Sequence, residues 1–137
     1  MYNGFLVKIG TYDFPMKYIA AETYDIAPDQ RQDEDPWRDG DGVLNREVLS
    51  NMPASITFNT IAGMTNSDVA AVFGKIRENY TDEKERKALV TFYHPETDSY
   101  SDPAYMYIPN LHFPIDYIDE ATDTVYYKEI TIELVGY

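Results

Sequence analysis

Residues 55–80 read SITFNTIAGMTNSDVAAVFGKIRENY, and the change of period inside this stretch decides the fold class. Over residues 55–61, Ile56 and Phe58 alternate with Thr57 and Asn59, the two-residue repeat of a strand with one buried face. From about residue 66 to residue 80 the repeat lengthens. Val69, Val72, Phe73, Ile76 and Tyr80 recur at three- and four-residue spacing, which sets them on one stripe of a helix. Thr65 and Asp68 stand at its head with the spacing of a capping box, in which each side chain satisfies the other residue's backbone N–H. A half-buried strand running into an amphipathic helix predicts a sheet with a helix laid across it.

Toward the N-terminus, residues 5–9 and 16–20 read as short strands around a turn at residues 10–13, an opening hairpin. Toward the C-terminus, residues 88–94, 104–109 and 125–135 are strand candidates, with turns at 94–98 (HPETD) and 119–123 (DEATD). The last candidate puts Ile130, Ile132 and Leu134 on one face and Glu129, Thr131 and Glu133 on the other, an alternation that favours antiparallel pairing with one wet side. The expected fold is α+β and mostly β: an antiparallel β-sandwich or small barrel with one flanking α-helix and a long arm loop. The expected core joins Phe5, Val7, Ile9, Ile56, Phe58, Val69, Phe73, Ile76, Val90, Phe92, Ile130, Ile132 and Leu134. With 137 residues the chain is sized for a single domain, residues 1–137, rather than for two. Its 44% hydrophobic and 15% aromatic content can fill a core, so the acidity does not signal disorder.

Between the first strands and residue 55 lies a different kind of sequence, PDQRQDEDPWRDGDGVLNREV over residues 28–48. It sets the only tryptophan, Trp37, among seven acids and the arginines Arg31, Arg38 and Arg46. A long polar excursion with one large aromatic anchor has the character of an arm that reaches another subunit, here residues 28–51. Trp37 is the expected anchor and Leu44 its support. Arg38 and Arg46 are expected to pair with acids of a neighbouring copy, with Asp39 and Asp41 in the same interface. In the alternative, Trp37 folds back on its own sheet and the arginines neutralise Asp35, Asp39 and Asp41.

Several function classes fit poorly. A net charge of −13 repels phosphate backbones, so a direct grip on nucleic acid is not expected. With no cysteine there is no disulfide, thiolate nucleophile or cysteine zinc site. The N-terminal MYNGFLVKIG lacks the basic lead-in and the apolar run of a secretory signal, and no stretch approaches a membrane span of roughly twenty apolar residues. His94 and His112 form neither an i,i+4 pair nor an HExxH frame, and are read as structural. The arm acids fail calcium spacing. A loop begun at Asp33 meets Trp37 where its third acid belongs, and one begun at Asp35 meets Trp37 second and Arg46 at the closing position. Acids are too widespread to single out a glycosidase pair, and Gly40 and Gly42 lack the lysine and pattern of a phosphate cradle. No catalytic residue, metal ligand or cofactor is expected.

Across Trp37-Arg38-Asp39-Gly40-Asp41-Gly42-Val43-Leu44-Asn45-Arg46, followed by a strand, a helix and a hairpin, the chain resembles small proteins encoded in the tail modules of phages and prophages of Gram-positive bacteria. The shared pattern is an arginine (Arg38), an acidic-glycine turn (residues 39–42), a leucine (Leu44) and a second arginine (Arg46). Residues 29–36 are longer and more acidic than that pattern. The resemblance implies a structural virion protein of the phage tail with the fold shared by tail-tube, distal-tail and baseplate-hub proteins. It would assemble in the host cytoplasm with copies of itself, typically as a six-fold ring, and contact adjacent tail proteins. An acidic lumen would repel passing DNA rather than bind it. The rival reading is an acidic DNA mimic that inhibits a host nucleic-acid-binding protein, its carboxylates spaced like phosphates.

Overall fold

The structure is a computed structural model that describes residues 1–31, 37, 38, 40–45 and 53–137. Twelve strands are defined among the described residues: β1 Val7–Ile9, β2 Tyr12–Asp13, β3 Asp25–Ala27, β4 Trp37–Arg38, β5 Leu44–Asn45, β6 Ser55–Asn59, β7 Lys87–His94, β8 Ser99–Tyr100, β9 Ala104–Tyr107, β10 Ile115–Asp119, β11 Thr124–Tyr127 and β12 Thr131–Gly136. Among the described residues a single α-helix, α1 Asn66–Glu78, interrupts them, and 3-10 turns occupy Met16–Tyr18 and Ala21–Thr23. The main sheet runs β2-β1-β7-β9-β12-β6-β3, with β8 paired to β7. Each pairing in it is antiparallel. The fold is α+β and mostly β, its sheet curled into a half-barrel.

Register explains the core. Ile56 faces Leu134 and Phe58 faces Ile132; Val7 faces Phe92 and Ile9 faces Val90; Ala88 faces Met106. Every one of these residues is buried, so each strand delivers its apolar set to the same face and cross-strand pairs stabilise the sheet. The opposite face is wetter, with Thr57 facing Glu133 and Leu89 facing Tyr105.

The capping box forms as read. Asp68 N–H donates to Thr65 Oγ1 and Thr65 N–H donates to Asp68 Oδ2, both at 3.2 Å. Of the helix stripe, Val69, Val72 and Ile76 enter the core. Phe73 does not; it sits half-buried at the rim, its ring edge-on to Phe113 at 5.1 Å. Phe5 is also only partly buried, stacked on Tyr100 at 4.4 Å. Met106 and Ile108, on the buried face of the 104–109 strand candidate, and Phe14 and Met64, from positions that no simple repeat marks, complete the interior.

Several segments depart from the expected pattern, among them Tyr12–Asp13, which is strand β2 paired with β1 rather than turn. Residues 16–20 are not a strand. After Pro15 the chain tightens into a 3-10 turn, with Tyr18 N–H donating to Pro15 O and Ile19 N–H to Met16 O, and only Ile19 bridges Thr60. The stretch 125–135 is two strands rather than one. Val125 and Tyr127 fall on odd positions and Ile130, Ile132 and Leu134 on even ones, so the chain must break between them to keep its apolar residues inward. It does so at 128–130, where β11 ends beside β10 and β12 begins beside β6. The short strands β3, β8 and β10 were not foreseen.

Candidate functional site

Among the described residues two hairpins lie outside the main sheet. The arm hairpin pairs β4 with β5, Trp37 opposite Asn45 and Arg38 opposite Leu44. Its root is closed, because Gln30 N–H donates to Pro53 O at 3.0 Å just beyond the Ala27–Ser55 register. Gly42, at φ +80°, supplies the left-handed turn conformation that L side chains rarely adopt. Arg38 Nη1 donates to Gly42 O at 2.9 Å, so this guanidinium braces its own turn. Leu44 is 43% exposed and Asp41 is exposed. Asp39 and Arg46 lie outside the described residues.

In the second hairpin, β10–β11, the sequence reading covers the turn and, within 125–135, most of β11, but not β10. Ile115, Tyr117 and Ile118 are 51%, 55% and 57% exposed, and Tyr117 stacks on Tyr126 at 4.5 Å. Asp119 Oδ1 accepts from Ala121 N–H in the turn, and Asp123 takes a positive φ of 52°, which aspartate tolerates better than most residues. The hairpin is held along β11, where Tyr126 bridges Thr65 and Tyr127 N–H donates to Met64 O. Val125 N–H donates to Asn66 Oδ1 at the first turn of α1, and Phe113 packs edge-on against Phe73 and Tyr127. A two-stranded hairpin is marginal in water by itself, so these contacts hold β11 in place and leave the apolar residues of β10 in solvent, below a polar turn at residues 119–123.

The two histidines do not meet in one site. His112 is exposed in a groove of about 290 Å³ beside Glu129 and Glu133. His94 closes β7, its side chain 13% exposed and its ring stacked near Phe92. Its Nε2–H donates to Asp29 Oδ2 at 2.7 Å, while Nδ1 is enclosed with no hydrogen-bond partner. Glu96, in the turn after β7, brings a third donor, and one ligand atom from each of Asp29, His94 and Glu96 lies within 4.8 Å of the others. No local spacing announces this convergence, since Asp29 and His94 are 65 residues apart.

Elsewhere the polar interior is largely satisfied. Thr60, fully buried, accepts from Ile130 N–H at 3.0 Å and donates to Ile61 O. Burial pushes the Tyr24 hydroxyl well above its ordinary range, and that hydroxyl has no hydrogen-bond partner. The backbone N–H of Thr65, first among the causes, holds the Asp68 carboxyl below the usual carboxylate range. A second groove, about 470 Å³, has an apolar lining of Phe73, Tyr80, Leu111 and Phe113. Its Arg77 is tied to Glu83 at 2.7 Å. No helix among the described residues is long and apolar enough to cross a membrane.

Comparison with curated proteins and with solved structures yields no match. Over residues 1–137 the chain matches a family described as a family of unknown function, DUF6711, and it belongs to that family.

Proposed function

We propose that this protein is a structural subunit of a phage tail that assembles with copies of itself into a ring, as part of the tail tube or of the distal-tail and baseplate hub. The observation that carries the reading is the β10–β11 hairpin, whose Ile115, Tyr117 and Ile118 are each more than half exposed. Large apolar side chains left in solvent along one strand suit a contact with another protein. The arm adds a second such element, a closed-root hairpin bearing Trp37 in β4 and the half-exposed Leu44 in β5. Two hairpins outside the main sheet on one chain suit a ring, where each subunit meets a neighbour on either side. The curled sheet with its wet outer face is compatible with that role, and the net charge of −13 suits a lumen that DNA traverses without sticking.

In this reading Trp37, Leu44, Arg38 and Asp41, with Asp39 and Arg46, form the intersubunit surface of the arm. The partners are neighbouring copies and adjacent tail proteins, and the place of action is the virion. The decisive measurement is size-exclusion chromatography with light scattering on the parent and on Trp37→Ala. Rings or stacked tubes for the parent and a folded, unassembled protomer for the variant are expected. A parent that stays monomeric or dimeric at high concentration overturns the reading and favours the acidic DNA mimic; a Trp37→Ala variant that assembles unchanged removes the arm from the interface.

A further inference from the structure

We propose that Asp29, His94 and Glu96 form a binding site for a divalent transition-metal ion of the zinc class. One imidazole with two carboxylates is a donor set that suits zinc better than calcium, which prefers a shell of six or more oxygens. The set is assembled by the fold rather than by local sequence. Asp29 comes from the chain leaving β3, while His94 and Glu96 flank the end of β7. The histidine is held in place by packing, its side chain 13% exposed and its ring near that of Phe92. Since Nδ1 is enclosed, Nε2 is the nitrogen that faces the carboxylate.

Distances decide how much must move. Two ligands at about 2.0–2.1 Å from a tetrahedral ion lie roughly 3.3 Å apart. The His94–Asp29 pair, at 2.7 Å, must therefore open by about 0.6 Å. Glu96 is exposed in a turn, and its donor already lies within 4.8 Å of the others, so rotation of that side chain closes the set. Water fills the remaining coordination position. Ligation through Nε2 displaces the proton now shared with Asp29 and leaves any Nδ1 proton without a partner, so the affinity belongs in the micromolar range rather than that of a closed structural site. The bound ion would tie the root of the arm to the β7–β8 turn. The site does not depend on the proposed assembly.

The test is calorimetric titration of Zn²⁺ into metal-free full-length protein, alongside Glu96→Gln and Asp29→Asn, with circular dichroism confirming that each variant is folded. One Zn²⁺ per chain is expected, with a raised melting temperature, binding that weakens as pH falls, and no competition from Ca²⁺. Glu96→Gln, at an exposed position, should weaken binding by at least about tenfold, the lower end of what loss of even an outer-sphere partner causes. Absence of binding at millimolar zinc overturns the proposal, because the cluster is then only a hydrogen-bonded clasp. Equal binding by the parent and both variants also overturns it, by assigning the ion to carboxylates elsewhere.

Discussion

Asp29 Oδ2 and His94 Nε2 stand 2.7 Å apart, joining the chain that leaves β3 to the end of β7. In the sheet these strands are four places apart, β7-β9-β12-β6-β3. Strands spaced about 4.8 Å apart would separate β3 from β7 by roughly 19 Å in a flat sheet, further than two loop residues reach. The contact is therefore made possible by the curl, and it stitches the open side of the half-barrel at the point where the arm departs.

Removing the acceptor of that stitch should be costly for one carboxylate. Asp29→Ala leaves both ring nitrogens of the enclosed His94 without a protein partner, and an unsatisfied buried polar group costs about 1–3 kcal/mol. Urea denaturation should show that loss with an unchanged m-value, the mark of a stability change without a change in exposed area.

Core and rim phenylalanines should separate cleanly. Phe58 is fully buried between Phe14 and Tyr24, so Phe58→Ala should cost about 3–5 kcal/mol. Phe73 only half-buries its ring against Phe113, so Phe73→Ala should cost about 1–2 kcal/mol by lost apolar area. Thermal melts of the two variants check the order; a larger loss for Phe73 would mean that the helix is rotated from the placement described.

The helix cap should respond to acid with a definite sign. Thr65→Ala removes the side-chain acceptor for Asp68 N–H and should cost about 1 kcal/mol. The Asp68 carboxyl is held below the ordinary range, foremost by the Thr65 N–H, so its stabilising effect is present above the unfolded carboxylate pKa of about 3.9. It is lost as pH falls through the lower folded value. The stability gap between the parent and Asp68→Ala should be flat near neutral pH and shrink below about pH 4, read from denaturation midpoints across that range.

Gly10 links the first hairpin to the end of the helix. Its φ is +62°, and a Cβ there would run into the side chain of Asn79, whose Oδ1 accepts from Thr11 N–H at 3.0 Å. Gly10→Ala should therefore destabilise by more than about 1 kcal/mol, since neither the backbone conformation nor the space suits a methyl group. Asn79 also donates through Nδ2 to Lys75 O, so loss of helix signal at the C-terminal turn by hydrogen exchange should accompany the drop.

The exposed hairpin can be tested without touching the core. Ile118 is 57% exposed, so Ile118→Ser should change protomer stability by no more than about 0.5 kcal/mol. If the exposed β10 strand is an interface, assembly should weaken while the melting of the isolated protomer stays the same, measured by light scattering and calorimetry on the same samples.

By itself the sequence determined the strand at 55–59, the helix with its Thr65–Asp68 cap, the mostly-β class and most of the core, because these follow from local periods and local hydrogen bonds. The parity flip between Tyr127 and Ile130 was also legible there, although the continuous reading of 125–135 passed over it. Tertiary structure decided what no period encodes. Strands of two or three residues, such as β3 and β8, exist because a neighbour offers hydrogen bonds, not because their own side chains insist. Phe73 sits at the rim against Phe113, forty residues on, a contact that only the fold creates. The convergence of Asp29, His94 and Glu96 depends on how far the sheet curls, a property of the whole set of paired strands and their twist, so no local stretch of the chain could have announced it.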